Sequence, residues 1–322
     1  MRPPAPLRFL REVSQRGTFL FMEIIMDVKE PKSFEEQLNK IIQRGCIVAD
    51  ENHALRVIQH VNYYRLTAYF LPFKKADGNY HNGTTFNNVF RIYEFDRKLR
   101  SLLFTVVEEI ELMLRTQLSY YHSMKYGPLG YLDDINFDTQ RHDHTRFLEH
   151  IEKSKNNNKT QAFVKHHIEN YEGKFPVWVI IELFTMGELS LFYSDMYTSD
   201  KKELAKSLFN STHKNVSVWL RCLTDLRNYC AHYSRLYYNF FPATPPTPKG
   251  FSYKLNKRIF DYILVLKFLY FDPIKWKNSF MTGLESLIEE YSDCINLEHI
   301  GFPENWKSVL KESNPGLQHN QN

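Results

Sequence analysis

Hydrophobic and polar positions along this chain repeat with the helical period through most of its length. Ser33 stands three residues before Glu36 and just ahead of Leu38, Ile41 and Ile42, the arrangement of a capping box opening a helix. A second helix is expected from about His53, continuing through the aromatic-rich run Asn62-Tyr63-Tyr64-Arg65-Leu66 towards Leu71-Pro72. Lys74 to Asn88 is polar, and its Asp77-Gly78-Asn79 turn signal leaves room for one small hairpin. The longest periodic stretch runs from Val89 to about Lys125 and stops at Gly127-Pro128. Residues 133–175 are polar, and Asn156-Asn157-Asn158 reads as a loop between two amphipathic helices. Pro176 opens a helix holding Trp178 to Leu191, and another covers roughly Val216 to Tyr233. The prolines of Phe241 to Pro248 demand a non-helical connector. A buried helix (Ile259 to Phe271) and a more acidic one (about Gly283 to Tyr291) follow.

The pattern therefore predicts an all-α fold. It divides the chain into an appended N-terminal segment (1–30), one helical domain (31–310) and a disordered tail (311–322). Because the helical pattern begins only near Ser33, residues 1 to about 30 are expected to be dispensable, with translation starting at Met22 or Met26.

Composition agrees with that class. Only 12 Gly and 14 Pro in 322 residues argue against an all-β fold built from many tight turns. Hydrophobic residues at 43% and charged residues at 24% are globular values. Aromatics reach 15%, with 25 Phe and 20 Tyr, enough both to fill a core and to offer stacking surfaces for bases. The net charge of +4 is too small to argue for a nucleic-acid partner, so local charge must decide. The cysteines (Cys46, Cys222, Cys230, Cys294) show no metal-ligand spacing and read as free thiols in a reducing compartment. No stretch is apolar enough to span a bilayer, and Glu23 interrupts any signal-peptide core, so the expected location is the cytoplasm.

The sharpest chemical signal is Leu226-Arg227-Asn228-Tyr229-Cys230-Ala231-His232. On a helix, Trp219, Leu223, Leu226, Cys230 and Tyr233 form one apolar stripe, while Arg221, Asp225, Asn228, His232 and Arg235 form a polar one, with Arg227 beside it. Cleaving RNA with its own 2′-hydroxyl needs little more. An imidazole can take or give the proton, and a guanidinium fork can steady charge on the phosphoryl oxygens. An amide such as Asn228 can hold either. Arg227, His232 and Asn228 are therefore the candidate catalytic set, with no metal and no cofactor called for; a solvated helix face carrying a chance histidine is the plainer alternative.

A second constellation lies on the long helix. Glu108, Glu111, Arg115 and His122 fall close to one face and could support the same site, or Glu111 and Arg115 could simply brace the helix as an i,i+4 pair. Glu182 is a lone carboxylate that could pair with an active-site arginine. His142-Asp143-His144 and His166-His167 bring no third ligand, and the His-x-His rings should point in opposed directions, so a metal site is not predicted. Lys249, Lys254, Lys257 and Arg258, with Phe251 and Tyr253 between them and no acid, suit RNA phosphates and bases, although an exposed loop would look alike.

Arg227 and His232 fit the R-x4-6-H pattern of HEPN ribonucleases, as do Arg115 and His122. The chain also resembles abortive-infection proteins of the AbiD/AbiF kind. The matching segments are Asn62 to Leu66, Tyr93 to Arg100, Pro176-Val177-Trp178 leading to Glu182, Gly187 and Leu189, Leu226 to His232, and Gly301 to Trp306. The resemblance implies a HEPN-like helical bundle, endoribonuclease activity, growth arrest during phage infection, and a homodimer in which two copies face each other. It leaves room for an RNA or protein antitoxin. The competing expectation is a sensor on the same fold that binds RNA or a nucleotide without cutting it.

Overall fold

The computed structural model describes residues 30–251 and 253–311. The all-α expectation holds: among these residues there are helices and two isolated β-bridges, but no strand. The expectations for the first 29 residues and for the tail beyond Lys311 lie outside the described residues.

Helix α1 (Phe34–Gln43) opens on the predicted box: Ser33 Oγ accepts from Glu36 N at 3.2 Å, and Glu36 Oε2 accepts from Ser33 N at 2.7 Å. The expected second helix is in fact two. α2 (Glu51–His60) ends at Val61, and α3 (Tyr63–Phe70) restarts where the Asn62 side chain accepts from Tyr64 N at 2.9 Å. The polar segment after it turns at Asp77-Gly78, where Gly78 takes φ +92°, and closes in a single antiparallel bridge between Lys74 and Tyr80. One bridge replaces the small hairpin.

α4 (Phe86–Tyr126) is the 41-residue spine, capped by Thr85 and stopped at Gly127, whose φ of +82° suits glycine. α5 (His144–Asn157) takes in Asn156 and Asn157, leaving only Asn158, its C-cap, in the connection to α6 (Ala162–Asn170), so most of the asparagine run is helix end instead of loop. The helix expected from Trp178 to Leu191 breaks in the middle. α7 (Val177–Ile180) passes through a 3-10 turn, and α8 (Met186–Asp195) restarts on a second capping box, Thr185 with Glu188.

α9 (Thr198–Phe209), which hydrophobic periodicity does not signal, buries Asp200 and Lys201. Partners elsewhere in the chain satisfy both charges: Asp200 accepts from Lys125 Nζ (2.5 Å) and Tyr126 Oη (2.6 Å), and Lys201 Nζ donates to Ser194 O (2.6 Å). α10 (His213–Ala231) packs against α4, α8, α9 and α11 (Ile259–Leu269). Every residue of α11 is buried, including Asp261, which accepts from Asn256 N (2.9 Å) and Lys257 N (2.7 Å), and Lys267, whose Nζ donates to Val309 O (2.6 Å). The proline-rich connector before α11 is pinned by Trp219, whose Nε1 donates to Pro246 O at 2.7 Å. The short α12 (Pro273–Lys275), α13 (Thr282–Glu290) and α14 (Trp306–Lys311) complete the described chain. All four cysteines are free. No described helix is long and apolar enough to cross a membrane.

Candidate active site

The predicted apolar stripe of α10 is buried from Trp219 through Leu223 and Leu226 to Cys230. It ends there. Tyr233 lies beyond the helix, is 68% exposed and adopts a left-handed φ of +56°. Ser234 N donates back to Tyr229 O at 2.9 Å, so Tyr233 occupies the turn that usually follows a helix and favours glycine. His232 is the residue before this turn. Its own N–H donates to Asn228 O at 2.9 Å, and the side chains of His232 and Asn228 are both exposed.

Arg227, one turn earlier, is held from below by α4. Its Nε lies 3.9 Å from Glu111 Oε2 and is buried with no hydrogen-bond partner, while a third of the side chain reaches solvent. Glu111 is shared: its other oxygen accepts from Arg115 NH2 at 2.8 Å. Arg115 NH2 also donates to Phe184 O at 2.7 Å, at the break between α7 and α8, and Arg115 Nε lies 4.0 Å from Glu182 Oε2. So Glu111, Arg115, Glu182 and Arg227 come together from three elements, as two arginines bracketed by two carboxylates.

The same residue set contains exceptions. Glu108 is exposed and makes no ion pair among the described residues. His122 is fully buried two turns further along α4, stacked on Phe137 (centroids 5.3 Å apart) and touching Tyr126 and Phe192. Neither of its ring nitrogens has a hydrogen-bond partner, and burial pushes its pKa down to about 4. Of the polar stripe expected on α10, Asp225 is partly buried, which raises its carboxyl pKa. Arg235 turns away to donate to Ala68 O on α3 and lies over the Tyr69 ring.

Two predictions arise directly. Arg115→Ala removes a buried charged donor from both Glu111 and the α7–α8 break and is expected to cost about 3 kcal/mol of stability, read by urea unfolding. An unchanged unfolding midpoint would show the pair to be dispensable. His122, neutral in the folded chain to about pH 4, titrates near its ordinary 6.5 when unfolded. The unfolded state therefore binds the extra proton, and stability is lost as pH falls from 6.5 towards 4, by roughly 3 kcal/mol when complete. Unfolding curves across that window should be flatter for His122→Phe; identical pH profiles would contradict this.

The predicted basic segment is split in its use. Lys249, Lys254 and Lys257 are exposed and make no ion pair among the described residues. Arg258 lies 3.5 Å from the centre of the Phe240 ring. The intervening rings, expected as stacking surfaces, serve the interior instead. Phe251 packs edge-on against Phe268, and Tyr253 donates to Gly301 O at 3.0 Å. The His-x-His rings do not diverge as expected. His142 and His144 contact each other at 3.0 Å, and their outer nitrogens reach Asp195 (3.0 Å) and Leu132 O (2.8 Å). His144 is the first residue of α5 while His142 lies before its N-cap, Asp143, so the pair escapes the helical geometry that would separate the rings.

Sequence reasoning also missed what holds the turn after His232. Asp96, fully buried on α4, accepts from Tyr69 Oη (2.6 Å), Arg100 NH1 (2.6 Å), Leu236 N (3.1 Å) and Tyr237 N (2.9 Å). Arg100 reaches Ser234 O at 3.2 Å, and Arg65 donates to Tyr233 O. The segments Asn62 to Leu66 and Tyr93 to Arg100 stand out in the sequence, but their pairing partners lie far along the chain.

A family model described as Abi-like protein matches residues 56–238, from within α2 to just past the α10 turn. The chain belongs to the Abi-like protein family. The matched region contains the whole Glu111–Arg115–Glu182–Arg227 cluster, His232 and the Asp96 clamp; it stops short of the basic segment from Lys249 to Arg258 and of α11 to α14. No curated protein and no solved structure matches the chain.

Proposed function

We propose that this Abi-like protein is a metal-independent endoribonuclease of the HEPN type, allied to the AbiD/AbiF proteins, that acts inside the bacterial cell in abortive-infection phage defence. One observation carries the reading: α10 ends by presenting an exposed His232 roughly 7 Å along the axis from an Arg227 that Glu111 braces from behind. Its planar fork, partly open to solvent, suits the non-bridging oxygens of a phosphate. The exposed imidazole is free to exchange a proton with a substrate, and Asn228 stands on the same exposed face.

In this mechanism the 2′-oxygen attacks phosphorus as its proton passes to an imidazole. The bond from phosphorus to the 5′-oxygen breaks, and that oxygen takes up a proton. The products are a 2′,3′-cyclic phosphate and a 5′-hydroxyl. Arg227 stabilises the charge that builds on the non-bridging oxygens. One imidazole per chain at this face favours a homodimer, in which one copy supplies the base and the other the acid. Leu112 and Trp178, apolar and about half exposed on α4 and α7, are side chains a second copy would cover. Lys249, Lys254 and Lys257 would add phosphate contacts at a distance, and an RNA or protein antitoxin would hold the enzyme silent between infections.

The test is to incubate the purified protein with total bacterial RNA in excess EDTA and to sequence the fragment ends. Discrete cleavage that survives chelation is expected. Intact RNA at every protein concentration would leave the sensor reading standing instead.

A further inference from the structure

Beside the end of α10, between α3 and α4, lies a cavity of about 850 Å³. His60, Asn62, Arg65, Arg97, Arg100 and Tyr233 are among the residues that line it, and no Asp or Glu is. Arg97 and Arg100 have acids at their backs, Glu94 (3.1 Å) and Asp96 (2.6 Å). Arg65 has none: it is exposed, and its one hydrogen bond goes to the carbonyl of Tyr233. The cavity thus presents guanidinium groups from both α3 and α4 with an excess positive charge, a surface that attracts an anion.

Tyr233 adds an aromatic residue to the same cavity. A bulky residue at φ +56° is held in a conformation that costs free energy, and Tyr233, one of the residues lining the cavity, is 68% exposed instead of packed. Burial therefore does not account for it. A flat exposed ring next to guanidinium groups matches a base and its phosphate. Position decides which nucleotide: Ala231 and Tyr233, which flank His232 in the chain, both line the cavity.

We infer that this cavity binds a nucleotide of single-stranded RNA adjoining the cleaved phosphate, with Arg65 and Arg97 on its phosphate and Tyr233 stacked on its base. The inference rests on the ribonuclease reading for the position of the scissile bond, but the binding it asserts is measured separately from cleavage.

The experiment uses full-length protein carrying His232→Ala, and a short fluorescent single-stranded RNA followed by anisotropy over a range of salt. Adding Arg65→Ala with Arg97→Ala should weaken binding about tenfold and reduce the slope of log Kd against log salt by roughly 0.7 for each phosphate no longer neutralised. Tyr233→Ala should weaken binding by about fivefold or more with the slope unchanged. Lys202→Glu with Lys214→Glu, exposed on α9 and at the far end of α10, should leave affinity near the parental value. Arg97 is half exposed, but Arg65, though exposed, also bonds the Tyr233 carbonyl, so melting is compared with the parent; if the double variant melts lower, Tyr233→Ala alone decides. Parental affinity in both the arginine double variant and Tyr233→Ala, or no RNA binding by the His232→Ala protein, would overturn the inference. So would binding of a free mononucleotide as tight as that of the RNA. If the variants lose RNA binding while the parent never cleaves, the cavity stands and the ribonuclease reading falls.

Discussion

Replacing His232 by Ala should lower RNA cleavage by about 10²–10⁴ while leaving the fold intact. The side chain is exposed and opposite the buried stripe of Trp219, Leu223, Leu226 and Cys230, so its loss opens no cavity. The backbone bond from His232 N to Asn228 O does not depend on the ring, and the helix end should survive. Arg227→Ala should fail comparably through lost charge stabilisation. Arg227→Lys should recover little, because a point charge on a flexible stem replaces the planar fork that stands beside Glu111. Asn228→Ala should be milder. Rates on a defined RNA, with helicity and melting checked for each variant, measure all four. A folded His232→Ala protein that cuts at the parental rate would remove His232 from the active site.

Asp96→Ala should be the most destabilising of the changes considered, costing about 3–5 kcal/mol. The carboxylate is fully buried and accepts from a tyrosine, an arginine and two backbone N–H groups. Removing it strands the Arg100 charge, which is itself only 6% exposed, together with three neutral donors. The two N–H groups belong to Leu236 and Tyr237, just after the turn that carries His232 and Tyr233. Local order there should therefore fall along with global stability. Denaturant unfolding should show a much lower midpoint, and hydrogen exchange at residues 234–237 should quicken beyond the global change. Parental stability would mean that the four hydrogen bonds contribute nothing net.

Much of this architecture is legible in the sequence because local chemistry and helical period agree. Ser33 with Glu36, the long run ended by Gly127, and the strongly apolar α11 all carry their own signals. The break between α7 and α8 is legible too, in Thr185 and Glu188, but continuous hydrophobicity from Trp178 to Leu191 masks it. α9 cannot be read by period, since Asp200 and Lys201 are buried against partners on α4 and α8.

The site divides along the same line. Arg227, Asn228 and His232 stand on one short segment, and Glu111 with Arg115 on one helix face, so spacing alone nominates them. That Glu111 serves both arginines depends on how α10 crosses α4, which no spacing reveals. His122 lies on nearly the same face of α4 as Arg115 yet meets an aromatic cluster, because two turns further along that face is covered by Phe137 and Phe192 instead of the α7–α8 break. Phe251 and Tyr253 show the converse: rings among lysines look like a stacking surface until tertiary packing claims them.

The central claim is that the chain cuts RNA by attack of the neighbouring 2′-hydroxyl, and one substrate pair tests it most directly. A single-stranded RNA containing a mapped cleavage site would be compared, in excess EDTA, with the same strand carrying 2′-deoxy at the nucleotide 5′ to the cut. The account predicts cleavage of the all-RNA strand to a 2′,3′-cyclic phosphate and a 5′-hydroxyl, and no cleavage at the substituted position. Cleavage of the 2′-deoxy strand at the same bond, or fragments ending in 5′-phosphates, would contradict it.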